Sequence, residues 1–104
     1  MKDQLIKLHD DFVSKGMPPS NINIIFLLKN ASRIHDRNIG YVLLDMQTWL
    51  REEHDIYVWL KPHPNGCRVY VLKGMTYLHK DYIIKIDYNK ALLSGLQEAI
   101  KLIE

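Results

Sequence analysis

Apolar residues in the first third of the chain recur at helical spacing. Those before Gly16 share one helical face, and two prolines follow shortly, so the pattern predicts a first helix over about residues 3–15. Ser20 and Asn21 can cap a second helix. Its apolar face would comprise Ile24, Leu27, Leu28, Ala31 and Ile34. A strand stays open as the alternative for residues 22–28, because a short apolar run does not distinguish the two.

A third helix is predicted beyond Asn38 and Gly40, which interrupt the pattern, and it should end near His54. Its buried stripe would comprise Val42, Leu43, Met46, Trp49 and Leu50.

After Asp55 the spacing of apolar residues changes from helical to alternating, as in half-buried strands. Three strands are predicted, with the sequences DIYVWLK, CRVYVLK and YIIKID. One face of their sheet would be aliphatic and comprise Ile56, Val58, Leu60, Cys67, Val69, Val71, Tyr82, Ile84 and Ile86. Asp87 can cap a last helix. The apolar face of that helix would comprise Tyr88, Ala91, Leu92, Leu96, Ala99, Ile100 and Ile103.

The order of these elements predicts an α+β fold with a three-stranded antiparallel sheet and packed helices. An α-β-β-β-α core is preceded by one or two N-terminal helices. We expect a single domain over residues 1–104, divided into an N-terminal helical segment, 1–38, and the core, 41–104.

The stretch KPHPNGC joins the first two strands. If Asn65 and Gly66 formed a two-residue turn, both prolines would face hydrogen-bonded ladder positions, and proline has no N–H to donate. We therefore predict that the ladder begins near Leu60 and Val71 and that residues 62–66 form a stiff projecting loop.

The second face of the predicted sheet is rich in aromatic and basic side chains, whereas a solvated face is normally more polar. The predicted binding residues on it are Tyr57, Trp59, Lys61, Arg68, Tyr70 and Lys85. Leu72 and Ile83 accompany them. Aromatic residues rimmed by cations suit protein association, and they also suit the stacking of single-stranded bases. Alternatively, the first two helices cover this face as a second layer.

Composition matches one ordinary globular domain, with 104 residues, 47% hydrophobic and 25% charged. The formal net charge of +2 is too small to indicate a nucleic-acid partner by itself. Residues 61–85 carry five cations and one acid, however, and this segment overlaps the aromatic face. Nucleic acid therefore stands as the alternative partner.

His63 and Cys67 are the nearest approach to a chemical site. Together they supply two metal ligands, whereas a structural zinc needs about four. A cysteine entering a strand is most often a core residue, so a hydrolase-like enzyme using this pair is the third functional choice. The sequence has no Gly-rich phosphate loop, no nucleophile elbow and no His-Glu-x-x-His helix. We expect no cofactor, no metal and no catalytic residue.

The compartment is predicted from three features. No apolar run approaches the roughly 18 residues that span a bilayer. Acids interrupt MKDQLIKLHDD where a signal peptide would be continuously apolar, and a single cysteine fits a reducing environment. We expect a cytoplasmic protein with no membrane partner.

From about Met46 to the end, the chain resembles small uncharacterised proteins of phages and mobile elements in gut bacteria of the Bacteroides type. The stretches that carry the resemblance are MQTWLREEHDIYV and YNKALLSGLQEAIKLIE. The resemblance implies an accessory gene product and brings no catalytic residue or ligand with it. The last helix after three strands is also similar to HicB-type antitoxins, in which Gly66-Cys67 would match a Gly-Cys step.

The α-β-β-β-α order is shared with double-stranded RNA-binding domains, whose last helix begins with several lysines that bind phosphate. Here that start reads DYNK, with one lysine and one acid. The patterns thus favour a small non-enzymatic interaction module that contacts another protein or self-associates as a homodimer.

Overall fold

The computed structural model describes residues 1–85 and 87–103. The helices are Lys2–Ser14 (α1), Ile22–Asn30 (α2), Asp36–His54 (α3) and Tyr88–Ala99 (α4), with a 3-10 turn at Ile100–Leu102. The strands are Ile56–His63 (β1), Gly66–Lys73 (β2) and Tyr77–Ile84 (β3). They form one antiparallel sheet in the order β1-β2-β3. The predicted α+β fold is confirmed, with α1 and α2 preceding the α-β-β-β-α core.

The segment for which a strand was the alternative is helical. The side chain of Asn21 accepts hydrogen bonds from the backbone N–H groups of Asn23, at 2.9 Å, and Ile24, at 3.4 Å. This cap satisfies donors that the first turn of a helix leaves free, as predicted. The helix stops before Ala31 and Ile34, so the prediction that these two belong to its apolar face is wrong.

Helix α3 begins at Asp36, and the prediction that Asn38 and Gly40 interrupt it is wrong. The ring of His35 provides the N-cap by accepting a hydrogen bond of 3.1 Å from the backbone N–H of Arg37. Sequence rules favour Ser, Thr, Asp or Asn at this position, so they do not identify His35 as the start of this helix. The boundary drawn after residue 38 therefore falls inside a helix.

The β1–β2 ladder extends to His63 and Gly66 with a two-residue turn between them, so the predicted loop over residues 62–66 is wrong. In such a hairpin the pair flanking the turn exchanges hydrogen bonds. The next pair, Pro62 and Cys67, then needs no ladder hydrogen bond, and the sheet accommodates the proline.

Gly66 is required by the geometry of this hairpin. Its φ of +134° is one that side chains rarely adopt, and a Cβ would collide with the carbonyl oxygen of Ile84 on β3. The resulting register places Leu60 opposite Val69 rather than opposite Val71 as predicted.

Strand β3 covers Tyr77–Ile84, not residues 82–87 as predicted. Lys85 follows at a bend and is exposed. Asp87 caps α4 as predicted, by accepting a 2.9 Å hydrogen bond from the backbone N–H of Lys90. The predicted strand residue Ile86 lies outside the described residues.

The core lies between one face of the sheet and the helices. Helix α4 packs across β1 and β2, α3 packs on α4 and β1, and α1 packs against α2 and α3. Trp49, predicted to be buried, is partly exposed at the end of the α3 stripe, with its ring edge-on to Phe12. Tyr88, predicted on the apolar face of α4, is 57% exposed. The Cα extents of 39 × 33 × 16 Å fit two layers, since packed layers lie about 10 Å apart.

Candidate interaction surface

Pairing in the sheet defines an inner face, which packs on the helices, and an outer face on the opposite side. Residues directly opposite each other in an antiparallel pair point to the same face, and neighbours along a strand alternate. The outer face comprises Tyr57, Trp59, Lys61 and His63 of β1, Gly66, Arg68, Tyr70 and Leu72 of β2, and Leu78, Asp81 and Ile83 of β3.

The outer face is open in the monomer. Trp59 is 44% exposed, Ile83 47% and Leu78 49%. Helices α1 and α2 pack on the helical layer, so the alternative in which they cover this face is wrong. The solvated face of an antiparallel sheet is normally polar, so these exposed apolar side chains mark the outer face as a candidate contact surface.

Five of the six predicted binding residues lie together on the outer face, and the sixth, Lys85, follows the end of β3. The rings of Tyr57 and Trp59 meet edge to face, with centroids 5.8 Å apart. Tyr70 lies directly opposite Trp59 on the next strand. The three aromatic residues thus form one continuous cluster across β1 and β2.

Arg68 is the best-anchored cation of the outer face. Its Nε and Nη2 donate hydrogen bonds of 2.8 Å each to the two carboxylate oxygens of Asp81, and its guanidinium lies 5.1 Å from the centroid of the Tyr70 ring. The hydrogen bonds from Arg68 lower the pKa of Asp81, and those to Asp81 raise the pKa of Arg68. The pair is therefore ionised and its two charges compensate each other.

Tyr57 is held at the opposite end of the outer face. Its hydroxyl donates a hydrogen bond of 2.9 Å to the carboxylate of Asp55, and this bond raises the pKa of the phenol. Asp55 itself has the left-handed conformation that ends α3, with φ of 54°, and its carbonyl accepts from the backbone N–H of Gly74 at 2.6 Å. The ring of Tyr57 is thereby fixed relative to α3.

Polarity changes along the outer face. The end near α3 holds three apolar residues in one row, Tyr57, Leu72 and Leu78. The end near the β1–β2 turn holds the cations. Lys61 and Lys85 are exposed there, and neither has an ion-pair partner within residues 1–85 and 87–103. The surface thus offers apolar contact at one end and uncompensated positive charge at the other.

Both edges of the sheet are protected against pairing with another strand. At the β1 edge, the side chain of Gln47 on α3 donates a hydrogen bond of 2.6 Å to the carbonyl of Val58. The β3 edge carries the adjacent charges Lys80 and Asp81, and its register shifts beside His79. Charged residues and irregularities of this kind oppose strand addition, which leaves the outer face as the accessible apolar part of the sheet.

His63 and Cys67 lie on opposite faces of the sheet. His63 points outward, and its Nδ1 accepts a hydrogen bond of 3.1 Å from the backbone N–H of Asn65. Cys67 points inward and packs against the core. The geometry therefore does not bring the thiol and the imidazole together as a catalytic pair. In the described part of the chain, no three His, Cys, Asp or Glu side chains cluster as metal ligands.

Four members of the outer face are not part of the predicted face. His63 and Gly66 fall in the predicted loop, and Leu78 and Asp81 lie on β3. The irregularity at His79 breaks the alternation within β3, so Leu78 and Asp81 share a face although their spacing is odd. A search for strict alternation of apolar residues therefore does not find β3 from its first residue, Tyr77. One signal in the sequence points to the contact between Arg68 and Asp81. Within residues 61–85, Asp81 is the only acid, and it is therefore the only acidic partner that this segment offers to Arg68.

Comparison of the chain with family models, with curated proteins and with solved structures finds no match. None of the described helices has the length and apolar character needed to cross a membrane.

Proposed function

We propose that the protein is a non-enzymatic interaction module that binds protein through the outer face of its sheet. The observation that carries the proposal is the exposure of Trp59, Leu78 and Ile83 on a face that none of the described helices covers. Burying such a surface against a partner releases water from apolar side chains, at roughly 25 cal/mol for each Å². Exposed aromatic residues are also the side chains that most often dominate protein–protein binding energy.

Hydrogen bonds within the face support the same function. Arg68 is fixed by two hydrogen bonds and an aromatic ring, and Tyr57 is fixed by Asp55. Side chains that are already ordered lose less conformational entropy on binding. A partner therefore meets a preformed surface.

Selection from a displayed library of protein fragments tests this proposal. Binders enriched on the wild-type protein should lose binding to Trp59→Ala and keep it with Ile22→Ala. Ile22 is a suitable control because it is 80% exposed on α2, away from the sheet. Binders that depend on Ile22 and tolerate Trp59→Ala would overturn the proposal.

Single-stranded nucleic acid is the second candidate partner, supported by Lys61 and Lys85 near the aromatic cluster. Phosphate binding of this kind weakens steeply with salt, whereas contacts through apolar side chains largely persist. Two features of the face oppose this candidate: Asp81 places a carboxylate on it, and Arg68 is already paired. Titration of a single-stranded DNA homopolymer at two salt concentrations separates the two candidates.

A further inference from the structure

The two ends of the outer face differ in charge, and this difference specifies the chemistry of a partner. Near the β1–β2 turn, Lys61 and Lys85 are exposed, and neither forms an ion pair with a residue that the structure describes. Asp81 does not compensate them, because both of its carboxylate oxygens accept hydrogen bonds from Arg68. The end near α3 is the apolar row of Tyr57, Leu72 and Leu78. A partner that covers both ends therefore needs acidic groups at one end and apolar groups at the other.

The outer face has the size of a single helix. Strands of eight residues and a width of three strands give it a footprint of about 26 by 14 Å. A helix with its side chains is about 10–12 Å wide, and about 17 helical residues span 26 Å. A standard interface between folded proteins covers about 800 Å² on each partner, more than twice this footprint. One segment of a partner chain therefore fits the face better than a whole domain does.

The sheet favours a helical segment over an extended one. An extended peptide binds a sheet by pairing with an edge strand. Gln47 protects the β1 edge through its hydrogen bond to the carbonyl of Val58, and Lys80 and Asp81 place charges on the β3 edge. A segment lying across the face finds no backbone partner there, because β2 pairs with β1 and β3 within the sheet. A helix satisfies its own backbone N–H and C=O groups, and α4 already packs in this way across β1 and β2 on the inner face.

We propose that the outer face binds one amphipathic helix of a partner protein, about 17 residues long, with acidic side chains in one terminal turn. This inference rests on the proposed function and gives the chemistry of its partner. The helix lies along the strands, with its apolar stripe on the aromatic cluster and the apolar row. Lys61 lies about 13 Å along β1 from Tyr57, so about nine helical residues separate the acids from the apolar end.

Selection from two peptide libraries tests the proposal. Both contain peptides of about 17 residues with apolar residues at helical spacing. One library carries glutamate in its first or last turn, and the other carries lysine at the same positions. The wild-type protein should enrich binders about tenfold more from the glutamate library. These binders should be lost with Trp59→Ala and kept with Ile22→Ala. Equal enrichment from the two libraries would overturn the proposal.

Charge reversal tests the contact with the lysines. A peptide selected from the glutamate library should bind Lys61→Glu about tenfold more weakly, and exchanging its glutamates for lysines should restore binding to this variant. Lys85→Glu provides a second, independent variant with the same expected loss. Lys80→Glu is the matched control, since Lys80 is exposed on the opposite side of the sheet. An equal loss with Lys80→Glu would contradict a specific contact at the basic end of the outer face.

The conformation of the bound peptide is measured by NMR of isotope-labelled peptide. The Cα chemical shifts should become helical on binding to the wild-type protein. A nitroxide at the acidic end of the peptide should broaden the amide signals of Lys61 and Lys85 more than that of Leu78. Extended peptide shifts, or stronger broadening at Leu78, would overturn the proposed arrangement.

Failure of this inference is distinguishable from failure of the proposed function. Fragment-library binders that require Trp59 but bind as extended segments would overturn the helix and leave the interaction module in place. A mass that rises from 12.3 kDa toward twice that value on concentration, and that Trp59→Ala keeps monomeric, would identify a second copy as the occupant and overturn the helix. A protein that binds neither peptides nor fragments, but binds a single-stranded DNA homopolymer, would overturn both.

Discussion

The carboxylate of Asp81 on β3 holds the guanidinium of Arg68 on β2 through two hydrogen bonds of 2.8 Å each. The contact is diagonal, because Asp81 lies directly opposite Tyr70 in the ladder. From the sequence, Arg68 makes this part of β2 basic. Its pairing with Asp81 makes the same part of the outer face locally neutral. The remaining positive charge of the face resides in Lys61 and Lys85.

Asp81→Asn should expose the charge of Arg68 and create weak binding to polyanions. The logarithmic salt dependence of binding to a single-stranded DNA homopolymer should steepen by roughly 0.7 for the one cation released. Glu53→Gln is the matched control, since it removes the same charge from an exposed position of α3. Equal binding by both variants would mean that Asp81 does not neutralise Arg68.

The same pair predicts a pH dependence. The folded-state pKa of Asp81 is lowered from 3.8, so its stabilising contribution is present above pH 3.8 and is lost as pH falls through the folded value. Direct titration of the carboxylate by NMR should show this lowered pKa in the wild-type protein and a return toward 3.8 in Arg68→Gln. An unchanged value in that variant would contradict the pairing.

Gly95→Ala should destabilise the fold, because a Cβ there would lie 2.6 Å from Cγ1 of Val58 and 3.0 Å from Cγ1 of Val69. Overpacking costs about 1–3 kcal/mol, and the better helix propensity of alanine returns about 1 kcal/mol, so the net loss is up to about 2 kcal/mol. Urea denaturation measures the change.

Gly40→Ala is the control for this substitution. It is also within a helix, but its Cβ would meet only the side-chain oxygen of Asn89, at 3.9 Å. This variant should gain up to about 1 kcal/mol of stability. Equal effects at the two glycines would show that α4 does not approach the sheet at Gly95 as closely as described.

Gly66→Ala should cost more stability than Gly16→Ala. Both glycines have positive φ, +134° and +108° respectively, so both substitutions incur backbone strain of order 1–3 kcal/mol. Only at Gly66 does the new Cβ also meet backbone, at the carbonyl of Ile84. Thermal denaturation of the two variants should therefore place Gly66→Ala lower, and the reverse order would contradict the close approach of β3.

His9 should make the stability of the helical layer depend on pH. The imidazole is buried, and its Nε2 accepts a hydrogen bond of 3.2 Å from the backbone N–H of Ser20. Burial lowers its pKa from 6.5, an effect that Lys29 reinforces and that Asp10 and Asp45 oppose. Because the folded-state pKa is depressed, the contribution of this group is complete above pH 6.5 and is lost as pH falls further.

Chemical denaturation between pH 8 and 5 measures this dependence. His9→Gln should flatten the decline of unfolding free energy below pH 6.5, since glutamine can still accept from the Ser20 N–H without gaining charge. His79→Gln, on the partly exposed bulge of β3, is the control and should leave the decline unchanged. If His9→Gln leaves the decline of unfolding free energy unchanged, groups other than His9 cause it.

The sequence predicts the elements better than their ends. Helix faces and alternating strands depend on periodicity, which Leu5, Val58 and Val69 obey, and these residues are buried as expected. The errors fall where a single side chain overrides the rule. The ring of His35 caps α3, and the turn before Gly66 places Pro62 at a ladder position that needs no donor.

Periodicity also predicts most of the candidate surface, and it fails there too where a contact depends on a single side chain. Alternation along the sequence places Tyr57, Trp59 and Tyr70 on one face. Periodicity within a strand cannot reveal a partner across strands, so the neutralisation of Arg68 by Asp81 required the structure. The openness of the face likewise depended on where α1 and α2 pack.

The central claim is that the outer face is open. Acrylamide quenching in a Trp49→Phe variant tests it most directly, because Trp59 on the outer face is then the only tryptophan. We expect ready quenching of this 44% exposed side chain in dilute solution, because the outer face is open. Protection of Trp59 in a confirmed monomer would mean that part of the chain covers the face, and would contradict the account.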